Sequence, residues 1–194
     1  SGDRELLSVE ELIAEFSLDD VNNSPAFFDE KKLAHFNQHY IAAMSVEEFV
    51  DAAARFLPPG GEEALRALAP LVQERVKVLS EVPPMIDFLL VEEVKFDEKS
   101  WDKRVVRGAS AAELLDGALV AYESCPWEAS ALHDVTAALG ERYELGLGKA
   151  QFPIRVAVMG RDVGPPLFES LVVLGRERTL DRLRRARERL AAEA

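Results

Sequence analysis

A chain of 194 residues with an apolar fraction of 48% is long enough for one ordinary domain or two small ones with a real core. It has no apolar run long enough to span a bilayer and no signal-peptide core, and its lone Cys125 excludes an internal disulfide. The net charge of −12 is unevenly distributed. Residues 1 to 100 carry nine Lys/Arg against twenty-one Asp/Glu, the remainder carries fourteen of each, and Lys149 to Arg189 holds ten basic against five acidic residues. A clustered positive face attracts phosphate while the rest of the chain repels it, so the asymmetry points to partners rather than to fold.

In chain order, Ser1-Gly2 reads as a cleavage scar, and Ser8-Val9-Glu10-Glu11 has the Ser-x-x-Glu form of a capping box ahead of Leu12, Ile13 and Phe16. Asn22-Asn23-Ser24-Pro25 is a turn signal, after which Asp29 to Ala42 has helical spacing of Leu33, Phe36, Tyr40 and Ile41. A second capping box, Ser45-Val46-Glu47-Glu48, opens a helix that stops before Pro58-Pro59-Gly60-Gly61. Glu62 to Leu79 keeps the helical period, and Pro70 is expected to divide it into two helices. Pro83-Pro84 begins a short apolar helix.

After Lys95 the pattern predicts helices over Ser110 to Tyr122 and Trp127 to Leu139, a glycine-rich loop over Gly140 to Ala150, and a short strand or extended piece over Ile154 to Met159. Helix resumes after Pro165-Pro166 through Leu174, Gly175 breaks it, and Arg178 to Ala192 forms the last helix. The expected architecture is mainly α, in two packed helical bundles.

No catalytic pattern survives inspection. His35 and His39 share a helix face as zinc-binding pairs do, without a placed glutamate or a third ligand, so no metal is expected. The glycines at 140, 146, 148 and 160 match neither a P-loop nor a dinucleotide fingerprint, and Cys125 has no histidine beside it.

The last helix carries two stripes. Leu180, Leu183, Ala186 and Leu190 make the buried one, and Arg178, Arg182, Arg185 and Arg189 follow the same steps on an adjacent face. Guanidiniums one helical turn apart, roughly 5 to 6 Å, can follow a nucleic-acid backbone. The same stripe paired with Glu177, Asp181 and Glu188 is an ordinary solvated face.

Three stretches resemble the C-terminal part of bacterial glutamyl-tRNA synthetases, which are class I aminoacyl-tRNA synthetases. The first runs from Phe16-Ser17-Leu18 through Asn22, Ser24-Pro25 and Phe28-Asp29 to Lys32-Leu33 and Asn37 to Ile41. The second is Pro153-Ile154-Arg155-Val156-Ala157 through Gly160, with Gly164-Pro165-Pro166-Leu167-Phe168. The third is Leu174-Gly175-Arg176-Glu177-Arg178 followed by Arg182-Leu183. Gln38 departs from a position where the family commonly has glycine, and the positions of His35 and His39 vary. The family's two ATP-binding signatures, a His-Ile-Gly-His-like and a Lys-Met-Ser-Lys-Ser-like motif, are not in this sequence.

The resemblance implies a fragment of a glutamate–tRNA ligase that recognises the anticodon of tRNA-Glu and makes no adenylate itself. The parent enzyme would use ATP and magnesium. It implies a two-lobed, all-α anticodon-binding region, with residues 1–44 the end of a stem-contact domain, 45–94 one helical subdomain and 95–194 a second. It also implies that Arg75, Arg155 and the loop Gly164, Pro165, Pro166, Leu167 and Phe168 meet anticodon bases. Arginine pairs bidentately with a base edge, and an apolar loop side chain packs on unstacked bases. Arg178, Arg182 and Arg185 are expected on backbone phosphates. A cytoplasmic monomer that binds neither DNA nor membrane completes the expectation. The alternative is a helical protein-interaction module of the same fold, which the acidic first half would suit.

Overall fold

A computed structural model describes residues 6–21 and 27–193. The Asn22-Asn23-Ser24-Pro25 turn, the Ser1-Gly2 scar and part of the first resembling stretch lie outside the described residues. Among the described residues the chain is all helix and connection: α1 (Val9–Glu15), α2 (Glu30–Ala43), α3 (Val46–Ala54), α4 (Gly61–Gln73), α5 (Val82–Leu90), α6 (Glu98–Trp101), α7 (Ala111–Ser124), α8 (Ala129–Glu141), α9 (Leu147–Met159), α10 (Leu167–Leu174) and α11 (Arg176–Glu193).

Both capping boxes form. Ser8 and Glu11 exchange side-chain and backbone hydrogen bonds at the start of α1, Ser45 and Glu48 do so at α3, and the Asp29 carboxylate accepts from the N–H groups of Lys31 and Lys32 at α2. Each fixes where a helix begins, which is why these three starts are readable from sequence.

Three expectations are corrected. Pro70 lies inside one continuous helix, not between two. Its ring is exposed, so the missing N–H leaves no buried hydrogen bond open, while Leu65, Leu68, Ala69 and Val72 bury the opposite face and hold the helix through it. Ile154 to Met159 is the second half of α9, not a strand. Every residue from Val156 to Met159 is buried, and a helix covered on all sides loses the polar face that would reveal its period. The expected loop over Gly140 to Ala150 is shorter. Helix α8 runs to Glu141 and α9 starts at Leu147, joined by a tight turn in which Leu145 N–H donates to the Gly140 carbonyl at 2.9 Å.

Helix α6 and the π-helical turn Asp102–Val106 that continues it have no counterpart among the elements expected from the sequence. A one-turn helix is too short to show a period. Asp97 caps it, and Trp101 is buried against Phe96, with ring centroids 4.6 Å apart.

The helices pack as two groups. Helices α3, α4 and α5 bury Phe49, Leu68 and Ile86 together, and α7 to α11 enclose α9. The hydrophobic core nevertheless runs unbroken from Ile41 to Ala186. Helix α9 ends at Gly160, whose φ is +78° and whose N–H returns to the Val156 carbonyl. A Cβ there would sit 2.3 Å from the Lys95 carbonyl oxygen, so only glycine lets the segment after α5 cross the end of α9. The N-terminal part contrasts with this body: α1 buries no residue and α2 buries only Ile41.

Candidate nucleic-acid interface

Arg75 follows the end of α4. Its guanidinium donates to the Leu71 carbonyl at 2.9 Å, and the side chain is otherwise exposed. Neighbouring side chains hold this turn in place. Gln73 is buried and its amide donates to the Ile41 and Met44 carbonyls at 2.7 and 2.8 Å. From α2, Asn37 donates to the Lys77 carbonyl and Gln38 to the Glu74 carbonyl. Four backbone acceptors around Arg75 are thus satisfied by amides that neither titrate nor compete for its charge.

Arg155 projects from the middle of α9 and is half-buried. It donates to the Pro165 carbonyl at 2.6 Å, which ties the helix to the loop before α10. Its acceptor is a carbonyl and not a carboxylate, so the guanidinium keeps its full charge and its remaining donors. Burial pulls its pKa below the ordinary value, and the nearby charge of Arg75 pulls the same way, while Asp162 and Glu169 oppose them. Arg75 and Arg155, one from each helix group, thus act on one another, and neither forms an ion pair among the described residues, an arrangement that suits an anionic or electron-rich ligand.

The 164–168 loop divides. Gly164 and Pro166 are partly exposed, and a Cβ at Gly164 would lie 3.8 Å from the Arg155 guanidinium. Pro165 is buried, Leu167 is 2% exposed and Phe168 is 8% exposed. The expectation that Leu167 and Phe168 pack on bases is corrected: both are core residues of α10, placed inward by the first helical turn that Pro166 precedes. What the loop offers a ligand is its backbone at Gly164.

The expected phosphate contact is corrected at Arg182. Arg182 is 2% exposed, and its guanidinium donates to the carbonyls of Val158, Phe88 and Val91. Burial, reinforced by the charge of Arg178, brings its pKa down to about 10. Arg178 donates to the Leu89 and Val91 carbonyls, so both arginines cap the open end of α5. Arg176 does the same for α7 through the Glu123 and Cys125 carbonyls. Arg185 stays exposed but pairs with Glu93 and Asp181, and Arg189 lies over the Trp101 ring and pairs with Glu98 and Glu193. The spacing that suggested a phosphate track comes from helix ends and carboxylates aligned beside α11.

His35 and His39 are exposed on α2 beside Phe36 and Tyr40, and among the described residues no three His, Cys, Asp or Glu side chains group as a metal site. No described helix is long and apolar enough to cross a membrane. Sequence reasoning missed Gln73 and Asp162. Gln73 gives no signal, since one polar residue in a helical period looks solvent-facing. Asp162 receives hydrogen bonds from Arg104 and Ser100 and links the start of the loop to the π-helical turn.

Residues 46–187 match the family described as the anticodon binding domain. Similar curated proteins are the glutamate–tRNA ligases of Frankia casuarinae, 50% identical over 97% of this chain, and Salinispora tropica, 47% identical over 98%. The chain spans 42% and 43% of their lengths, less than half of each. A crystal structure of a glutamate tRNA ligase from Elizabethkingia meningosepticum superposes with a TM-score of 0.76 at 26% identity, covering 95% of this chain and 37% of that one. With its match over residues 46–187, on a body that is all helix and connection among the described residues, the chain belongs to the anticodon binding domain family.

Proposed function

We propose that the chain is the C-terminal, anticodon-binding part of a glutamate–tRNA ligase and that its ligand is tRNA-Glu. The observation that carries this reading is that Arg75 and Arg155, one from each helix group, each donate to a single backbone carbonyl and form no ion pair among the described residues, in a chain whose residues 46–187 match the anticodon binding domain. Arg75 reads the last anticodon base and Arg155 a neighbouring one, each with donors left free by a single carbonyl contact. Gly164 lets an unstacked base approach the backbone, since a Cβ there would lie 3.2 Å from the Met159 sulfur and fill the space beside Arg155. The fixed turn around Arg75 and the tie from Arg155 to Pro165 hold both forks in place before RNA arrives, so little ordering is needed on binding.

Attachment of glutamate belongs to the parent enzyme, with ATP and magnesium in its catalytic part, in a cytoplasmic monomer. The division into 1–44, 45–94 and 95–194 draws support from the grouping of α3–α5 and of α7–α11, which meet where α10 packs on α4. The test is a binding titration of this chain with tRNA-Glu, tRNA-Gln and a tRNA-Glu altered at the last anticodon base. The expected result is preference for tRNA-Glu, falling by about 1–3 kcal/mol of discrimination in Arg75→Gln and in Arg155→Gln. Equal affinity for all three RNAs would overturn the reading.

A further inference from the structure

Four cations outside the sites described above, Lys103, Arg104, Arg107 and Lys149, line a cleft of about 270 Å³ between the π-helical turn and the first half of α9. The lining of this cleft holds no carboxylate. The clefts elsewhere are mixed. The one along α11 sets Arg178, Arg184 and Arg185 against Glu92, Glu177 and Asp181.

The floor of the cationic cleft is rigid. The Arg104 guanidinium lies 3.6 Å from the centroid of the Phe152 ring and donates to Asp162 at 2.8 Å. Arg107 is held by Asp102 at the rim. Asp102 and Asp162 therefore offset two of the four charges. Lys103 and Lys149 are exposed and form no ion-pair contact among the described residues, although the charge of Asp162 also reaches Lys103.

Lys149 is placed against local stability. It stands in the first turn of α9, where the helix has no acidic residue and no side-chain cap, and where a cation opposes the macrodipole. In a chain of net charge −12, two unpaired lysines beside two fixed arginines make a strong local reversal of potential. The cleft shares α9 with Arg155. Phe152 lies one helical turn before Arg155, and Asp162, which fixes Arg104, also acts on Arg155.

From this geometry we infer that the cleft seats backbone phosphate of the RNA strand whose bases meet Arg75 and Arg155. The inference rests on the function proposed above. Arg104 and Arg107 give the seat its shape, and Lys103 and Lys149 supply charge that can follow the phosphate. The seat is blind to base identity. It adds affinity and register, and leaves selectivity to the arginine pair.

The experiment compares the unsubstituted chain with Lys103→Gln/Lys149→Gln, both positions being exposed. An RNA stem-loop with the anticodon-arm sequence of tRNA-Glu, and the same RNA with a substituted anticodon, are titrated across a series of salt concentrations. The double variant is expected to bind both RNAs about five- to tenfold more weakly at low salt. The slope of log affinity against log salt should become shallower by about 0.7 for each phosphate of an unpaired strand that is no longer neutralised. The ratio between the two RNAs should not change. A slope equal to that of the unsubstituted chain, with the ratio intact, overturns the cleft and leaves the proposed function standing. A ratio of one in the unsubstituted chain overturns the proposed function instead. Competition by polyglutamate as effective as that by the substituted RNA at equal charge would also overturn the inference, since the cleft would then be a general anion patch.

Discussion

Helix α11 and the cleft beside α9 are both rich in cations, and they put them to opposite uses. Along α11 each arginine reaches a helix end, an aromatic ring or a carboxylate, and the most central one, Arg182, is buried on three carbonyls. Around α9, Arg155 meets one carbonyl, and Lys103 and Lys149 meet no carboxylate. Basic density along the chain is therefore a poor guide to where a ligand binds. Unquenched charge is the better guide, and it depends on what lies opposite in space.

The largest expected effect tests the first half of that contrast. Arg182→Ala would leave the carbonyls of Phe88, Val91 and Val158 without their donor in the interior, a loss of roughly 3 kcal/mol. The melting temperature should fall by about 6–12 °C. Arg182→Lys should recover only part of this, since one ammonium cannot span three acceptors in the geometry of a planar fork. Thermal unfolding followed by circular dichroism measures both. A melting temperature within a degree or two of the unsubstituted chain would mean that Arg182 is not the clamp between α5 and α9.

Next in size is the ion pair at the floor of the cleft. Asp162 accepts from Arg104, and that bond, helped by Ser100, holds its carboxyl below the ordinary value of 3.8. The folded carboxylate therefore releases its proton at lower pH than the unfolded one. Its stabilisation is complete above the unfolded pKa and is lost as pH falls from there through the folded value. Asp162→Asn should lower stability by about 1 kcal/mol at neutral pH, after allowing for solvent screening. The gap between the two chains in denaturant midpoint should close as pH drops below about 4. A gap that stays constant from pH 6 to pH 3 would show that the charge of Asp162 does not act on Arg104.

These effects also mark how far the residues speak for themselves. Helix starts announced by a local device, Ser8, Asp29 and Ser45, are legible because cap and helix are adjacent in sequence. Pro70 and the run Ile154 to Met159 mislead because their outcome depends on burial, which a local pattern does not hold. At the site, Arg75 and Arg155 are singled out by resemblance and each donates to one backbone carbonyl, whereas Leu167 and Phe168, singled out with them, are turned into the core by α10. Arg155 stands among apolar neighbours in sequence and Arg182 in a charged run, yet it is Arg182 that the fold buries. In space Arg182 is closed in by three carbonyls, whereas Arg155 meets the single carbonyl of Pro165.

The smallest expected effect is the most direct check on the comparison. Arg185 is exposed on α11 and looks, by position, as able to meet a phosphate as Lys149 does. Its guanidinium is held by Glu93 and Asp181, and the bond to Glu93 raises its pKa above the ordinary value. For RNA to use it, the phosphate must displace two carboxylates that are repelled by the same phosphate. Arg185→Gln should therefore leave the salt slope for anticodon-arm RNA unchanged and move the melting temperature by no more than about 2 °C. Under the same conditions Lys103→Gln/Lys149→Gln should flatten the slope. If Arg185→Gln flattens it as much, phosphate competes successfully for paired arginines, and α11 returns as part of the RNA surface.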